Sequence, residues 1–123
     1  GRISGLDAMK RFYADCDVLL VPSSAETFGM VYLEAMSQGV PVLYTKGQGF
    51  DGQFPEGEVG FSVPCGDTAA QADALCRVME DYPARSARCV ERAREYAWER
   101  IAKKWMKAYG ETAVALDPSP KGN

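Results

Sequence analysis

Short apolar segments alternate with longer segments of mixed polarity along the first half of the chain. Residues 17–22 form a nearly continuous apolar run that contains β-branched side chains and ends in a proline, a pattern typical of a buried strand in a parallel sheet. Residues 40–45 and 60–63 repeat this pattern. The sequence therefore predicts three short parallel strands.

The first two strands are separated by a segment with helical spacing of its apolar residues. Residues 29–38 carry apolar side chains at that spacing and stop at Gly39, a residue suited to the left-handed C-terminal cap of a helix. Strand, helix and strand in this order predict a βαβ unit.

Another helix is predicted ahead of this unit, over residues 7–15. Its N-cap is expected to be Ser4 or Asp7, because both side chains can accept a hydrogen bond from a free amide at the start of a helix. The predicted apolar face of this helix consists of Met9, Phe12 and Tyr13.

Helices are also predicted after the third strand, over residues 68–80, 83–98 and 100–109. Strands that alternate with helices predict an α/β fold with a Rossmann-like parallel sheet and flanking helices. Three strands make a thin sheet, and the first residue is Gly1 rather than Met, so we expect a fragment whose remaining strands lie upstream. Residues 113–123 have the composition of a flexible tail.

Composition excludes several classes of function. The chain has no histidine, so none of its own residues can complete a Ser-His-Asp triad or supply an imidazole ligand to a metal. A net charge of -3 argues against nucleic-acid binding by bulk attraction. The four cysteines contain no Cys-x-x-Cys pair and are expected to be reduced, which predicts a cytoplasmic location.

The turn between the first strand and the following helix is the best candidate for a binding site. In open α/β sheets, ligands bind outside the carboxyl ends of the strands, and this turn lies there. The first amides of the helix have no acceptor within the helix, and the helix dipole adds partial positive charge, so we expect a phosphate site. Gly29 would let a ligand approach the backbone. The predicted phosphate-binding amides belong to Phe28, Gly29, Met30 and Val31.

Two glutamates flank this helix start. Glu26 lies in the turn, and Glu34 lies on the helix five residues after Gly29, roughly 7.5 Å along the axis. Side chains on a helix lean toward its N-terminus, so both carboxylates are expected to face one crevice. Glu34 has no Lys or Arg three or four positions away, and the hydroxyls of a ribose would satisfy its carboxylate.

Several linked motifs around these glutamates resemble the donor-binding segment of the retaining family 4 (group 1) glycosyltransferases. They are Asp-Val-Leu-Leu-Val-Pro-Ser at 17–23, Glu-Thr-Phe-Gly at 26–29, Leu-Glu-Ala-Met at 33–36 and Gly-Val-Pro-Val at 39–42. The resemblance covers residues 12–63 and extends more loosely to residue 105. It implies the GT-B fold, with residues 1–112 as the C-terminal lobe truncated at its N-terminal side.

The resemblance also implies roles for the matching residues. Glu34 would bind the ribose of a nucleotide sugar, the amides of residues 28–31 would bind its diphosphate, and Glu26 would act beside the anomeric carbon. The implied reaction passes the sugar to an acceptor hydroxyl with retention of configuration, without a cofactor or an obligatory metal. Glu26 would act in this reaction either as a nucleophile or as an electrostatic stabiliser.

The glycine-rich loop after the second strand is expected to lie near the donor sugar. Gly47 and Gly49 would offer their backbone amides there. The loop matches the dinucleotide fingerprint G-x-G-x-x-G, but Pro55, Gly57 and Gly60 prevent the helix that this fingerprint requires. It also departs from the common family pattern Gly-Gly-x-Pro-Glu, because Gln48 separates the two glycines.

The expected partners follow from the same resemblance. They are a nucleotide-sugar donor, and an acceptor glycan or glycolipid bound through the missing N-terminal lobe, as in polysaccharide or glycolipid synthesis. Mixed charges on the last helices predict at most a weak, peripheral contact with the inner face of a membrane. Two alternative functions remain open. One is a sugar-nucleotide epimerase on the same fold, which would release epimerised sugar. The other is a non-catalytic α/β interaction module, which would bind no nucleotide.

Overall fold

The computed structural model describes residues 3–97, 99–100, 102–103 and 106–108. Within these ranges, three parallel strands form one sheet in the order β1-β2-β3. The strands are β1 Leu19–Val21, β2 Val42–Thr45 and β3 Gly60–Val63. Four helices accompany them: α1 Leu6–Ala14, α2 Met30–Ser37, α3 Thr68–Glu80 and α4 Tyr82–Arg94.

The predicted α/β fold and its βαβ unit are confirmed. β1 and β2 are parallel neighbours joined through α2, with Leu20 level with Leu43 in the register. Gly39 has φ +77 and its amide donates to the Met36 carbonyl at 2.9 Å, as expected for a left-handed C-terminal cap. This geometry ends α2 and turns the chain into β2.

Two predictions about α1 are wrong. The N-cap is Gly5, and no side chain caps this helix, so neither Ser4 nor Asp7 has that role. Of the predicted apolar face, Tyr13 is buried and Met9 is half-buried, but Phe12 is 44% exposed. Phe12 instead packs edge-on against the neighbouring Tyr13 ring, with centroids 5.3 Å apart.

The fourth helix is shorter than the predicted span 83–98. It ends at Arg94 because the next amides donate to carbonyls only three residues back, Glu95 to Arg92 and Tyr96 to Ala93, each at 3.1 Å. Described residues between 99 and 108 are helical, but part of the predicted helix 100–109 and the whole predicted tail 113–123 lie outside the described residues.

The sheet separates two apolar clusters. One contains side chains of α1, α2 and α4 together with Tyr44 of β2. The other contains Leu43 of β2, two β3 side chains and the buried face of α3. Successive residues of β2 therefore point to opposite faces, as in any strand buried on both sides.

A buried arginine of α4 links this helix to the end of α3 and to the loop before β3. Arg85 is 6% exposed. Its Nε donates to the Gly57 carbonyl at 3.1 Å, and its Nη1 donates to carbonyls at the end of α3, those of Arg77 and Val78. A cation is favourable there because the C-terminal carbonyls of a helix carry partial negative charge.

Candidate functional site

The turn after β1 and the loop after β2 meet at the carboxyl edge of the sheet. The Glu26 amide donates to Oε1 of Gln48 at 3.0 Å, and the Glu26 carbonyl accepts from the Gly49 amide at 3.1 Å. The amide and the carbonyl of Glu26 are thus both bonded to the loop after β2. This edge is where open α/β sheets bind ligands.

The start of α2 carries unpartnered amides. Gly29 is the N-cap, with φ +79, and no side chain caps the helix. Within the described ranges, the structure gives no intramolecular acceptor for the amides of Phe28, Gly29, Met30 or Val31. Met30 is 53% exposed, which leaves this end of the helix open to solvent. Such a helix end attracts anions.

The structure gives a packing reason for a glycine at position 29, in addition to the predicted approach of a ligand. A Cβ there would lie 2.3 Å from Cδ2 of Tyr32, a side chain that is 1% exposed. The Tyr32 hydroxyl donates to the Val21 carbonyl at 3.1 Å. Burial, followed by the charge of Glu26, raises the pKa of Tyr32 to about 12, so the hydroxyl stays a donor at neutral pH. Gly29 thus accommodates the Tyr32 ring and a left-handed backbone.

Gly29→Ala is expected to lower the free energy of unfolding by about 2 kcal/mol, since a left-handed non-glycine residue costs roughly 1 to 2 kcal/mol and the ring must also shift. Calorimetric Tm measures the effect. Gly47→Ala is the matched control, because Gly47 has φ +78 and nothing within 4 Å of the added carbon. Equal losses in the two variants would contradict a specific clash with Tyr32.

The Glu26 carboxylate is also free of partners. The residue is half-buried, and no donor or cation among the described residues binds its carboxylate oxygens. Its Cγ lies 3.5 Å from the position of a Cβ on Gly29, beside the start of α2. A negative group and a set of positive amides therefore lie next to each other without being bonded to each other.

Glu34 lies in a cleft between α1 and α2. The cleft has a volume of about 150 Å³, and Glu34 is exposed in it. The hydroxyl of Tyr13 points at Oε2 of Glu34 across 3.4 Å, and burial together with that carboxylate raises the pKa of Tyr13. The cleft is lined by Leu6, Met9, Lys10 and Tyr13 of α1 and by Glu34, Ser37 and Gln38 of α2.

Both glutamates lie beside the same apolar cluster. Tyr13, the neighbour of Glu34, and Tyr32, the neighbour of Glu26, are both members of the cluster on the α2 face of the sheet. The two acids are therefore not divided between the two faces of the sheet. Glu26 precedes α2 and Glu34 lies within it.

The amides of Gly47 and Gly49 both have acceptors within the protein, and their role in sugar binding stays a prediction. The Gly47 amide donates to Oδ2 of Asp51 at 2.7 Å, and the Gly49 amide donates to the Glu26 carbonyl. A Cβ on Gly49 would lie 1.5 Å from the Thr27 carbonyl oxygen. Gly49 thus permits close packing of loop and turn, and sugar binding by either amide requires a change in the loop.

Sequence reasoning missed the partners of the two glutamates. Gln48 appeared only as the residue that separates two glycines, and Tyr13 only as part of an apolar face. A hydroxyl on a helix that precedes the sheet, or an amide between two loop glycines, is a weak signal in sequence. Both contacts join residues more than twenty positions apart.

Other candidate sites have structural roles or none. The sequence Asp15-Cys16-Asp17 has the Asp-x-Asp form of a metal-binding motif, but Asp15 is the C-cap residue of α1 and lies before β1, at the amino end of the sheet. Within the described ranges, no three acidic or cysteine side chains cluster as metal ligands do. All four cysteines are free. No helix in the same part of the chain is long and apolar enough to cross a membrane.

Comparison with known families identifies one that covers most of the chain. Residues 1–96 match the family described as glycosyl transferases group 1. A D-inositol 3-phosphate glycosyltransferase of Corynebacterium urealyticum is 37% identical over 111 residues, which are 88% of this chain and 26% of that protein. A phosphatidyl-myo-inositol mannosyltransferase of Mycobacterium leprae is 37% identical over 103 residues, 80% of this chain and 28% of that protein. The chain spans about a quarter of the length of these relatives.

A solved structure supports the same relationship. Sucrose-phosphate synthase from Thermosynechococcus elongatus superposes with a TM-score of 0.70 at 33% identity, over 85% of this chain and 27% of that one. That protein has the GT-B fold, so the fold predicted from the sequence is confirmed.

Proposed function

This chain belongs to the group 1 glycosyl transferases, and on that premise we propose that the complete protein moves a sugar from a nucleoside diphosphate sugar to an acceptor hydroxyl. This chain is the donor-binding part of the C-terminal lobe. The acceptor, a glycan or a glycolipid, binds mainly through the N-terminal lobe. The setting is synthesis of a polysaccharide or a glycolipid in the cytoplasm.

The observation that carries this proposal is the open start of α2 beside an unpartnered carboxylate. The amides of Met30 and Val31 have no acceptor among the described residues, and the Glu26 carboxylate has no donor. A diphosphate satisfies the amides and benefits from the helix dipole. The attached sugar then lies next to Glu26, where its hydroxyls or its anomeric carbon meet the negative charge.

The cleft at Glu34 supports the placement of the nucleoside. Pockets for whole drug-sized ligands have volumes of about 300 to 1,000 Å³, whereas this cleft has about 150 Å³. It is therefore suited to one part of a larger ligand. A ribose donates two hydroxyls to the Glu34 carboxylate, and the apolar side chains of Leu6 and Met9 cover its less polar surface.

The proposed chemistry is transfer with retention of configuration and no obligatory metal. As the bond to the diphosphate breaks, positive charge develops at the anomeric carbon and negative charge grows on the leaving phosphate. Glu26 stabilises the first charge, as a carboxylate does in an oxocarbenium-like transition state, and the α2 amides stabilise the second. Preorganised groups of this kind need not reorient during the reaction.

A panel of nucleotide sugars tests the proposal in the complete protein. UDP-, GDP- and ADP-sugars are compared by thermal shift, and the best ligand is then incubated with candidate acceptors. We expect one nucleotide class to raise Tm in a saturable manner and to give a new glycosidic bond. Free epimerised sugar would instead indicate an epimerase, and no saturable shift with any nucleotide would indicate a non-catalytic module.

Glu34→Ala is expected to weaken nucleotide binding about 10- to 100-fold, because two hydrogen bonds from ribose hydroxyls to a charged acceptor are lost. Isothermal titration with the free nucleoside diphosphate measures this loss. Tyr13→Phe is the control, since it removes only the hydroxyl that faces Glu34 and keeps the wall of the cleft. Unchanged affinity in Glu34→Ala would place the ribose elsewhere.

A further inference from the structure

Gln48 binds the backbone of the residue that the proposed function places beside the reacting carbon. Its Oε1 accepts the Glu26 amide at 3.0 Å, while the next residue, Gly49, donates its own amide to the Glu26 carbonyl. Gln48 and Gly49 thus bond the amide and the carbonyl of Glu26. The Glu26 backbone is held there by bonds from a segment 22 positions away.

The loop that carries Gln48 is itself fixed by hydrogen bonds. The Gln48 amide donates to the Thr45 carbonyl at 3.2 Å, and the Gln48 carbonyl accepts from the Asp51 amide at 2.9 Å. Gln48 is half-buried, so its side chain is ordered by its surroundings and differs from an ordinary solvated glutamine.

The acceptor of the Glu26 amide is a side chain and not a loop carbonyl. The Gly49 backbone already lies so close to the turn that a Cβ would overlap the Thr27 carbonyl oxygen. The Gln48 carbonyl accepts from Asp51, within the loop. With glycine at position 48, the half-buried Glu26 amide would therefore lose this acceptor, which is unfavourable for a peptide group shielded from water.

We propose that Gln48 is a positioning residue that fixes the Glu26 carboxylate relative to the donor sugar; this inference rests on the proposed function. Gln48 touches no reacting atom and acts through the Glu26 peptide. Because a displacement of about 1 Å at a reacting group can cost about 100-fold in rate, a bond that fixes the backbone of Glu26 affects turnover. Donor binding depends on the α2 amides and Glu34, which Gln48 does not contact.

Gln48→Met and Gln48→Glu test this role in the complete protein, with kcat, donor KM, Tm and nucleotide affinity measured for each. Methionine keeps the length and removes the acceptor, so kcat is expected to fall about 10- to 100-fold with KM and affinity unchanged. Glutamate keeps an acceptor oxygen and is expected to restore most of kcat at neutral pH.

Gln53→Met is the matched control. Gln53 belongs to the same loop and bonds Gly49, but it does not touch Glu26. Wild-type kcat in Gln48→Met, or an equal loss in Gln53→Met, would overturn the positioning role while nucleotide-sugar transfer by the wild type still stands. A wild-type protein that binds no nucleotide sugar would overturn the proposed function and the role of Gln48 with it.

Discussion

Glu26→Gln is expected to lower kcat for sugar transfer by about 100- to 1,000-fold, the cost typical of removing one preorganised charge-stabilising group. Glutamine keeps the size of the side chain and the backbone bonds to Gln48 and Gly49, but it removes the negative charge. Affinity for the free nucleoside diphosphate should remain unchanged, because the diphosphate contacts the amides of α2. Steady-state kinetics and isothermal titration measure the two quantities.

Asp51→Asn is the control for a general effect of charge. Asp51 lies in the adjacent loop and accepts the Gly47 amide at 2.7 Å, a bond that the oxygen of asparagine can keep. The Asp51→Asn variant should retain most of kcat. Equal losses of kcat and nucleotide affinity in Glu26→Gln would contradict the division of labour between the carboxylate and the helix start. Equal losses of kcat in the two variants would show that the site responds only to net charge.

Arg85→Met is expected to give the largest loss of stability, about 3 kcal/mol. Methionine fills much of the same space but leaves carbonyls of Gly57, Arg77 and Val78 without their donor, and a buried acceptor without a partner costs about 1 to 3 kcal/mol. The guanidinium also lies over the Phe61 ring, 5.1 Å from its centroid. Calorimetric Tm, with hydrogen exchange of the α3 amides, measures the effect.

Arg88→Met on the same helix separates this effect from a loss of surface charge. The Arg88 side chain is 35% exposed and pairs with Asp81 at 3.1 Å, and its Nε donates to one carbonyl, that of Glu58, whereas Arg85 donates to three. Exposed ion pairs contribute about 0 to 1 kcal/mol. Equal losses of stability in the two variants would contradict a special contribution of the buried Arg85 hydrogen bonds.

Elements with local start and stop signals could be predicted from the sequence. α3 begins after Asp67, whose carboxylate accepts the Ala70 amide at 2.9 Å, and both of its bounds agree with the prediction. β3 is also found where the apolar run between Gly60 and Pro64 predicts it. The end of α4 could not be predicted in this way, because Tyr96 leaves the helix to pack against Phe28 and Phe54, which are distant in sequence.

In the candidate site, too, only the features that depend on local sequence could be predicted. Free amides at the start of α2 were expected because the first amides of a helix have no acceptor within it, and the structure shows that no side chain caps this helix. The residues that pack against the start of α2 could not be predicted from the sequence. That Gly29 faces the Tyr32 ring, and that the Gly49 amide is used by Glu26, depends on how turn, helix and loop pack together. A glycine signals freedom of the backbone, but it does not identify what occupies the space.

A structure of the complete protein with a bound nucleoside diphosphate sugar tests the central claim most directly. The diphosphate is expected within about 3 Å of the amide nitrogens of Met30 and Val31, as in an ordinary hydrogen bond. The ribose hydroxyls should meet the Glu34 carboxylate, and the sugar should lie beside Glu26. A diphosphate bound elsewhere, with the α2 amides still unpartnered, would contradict the account.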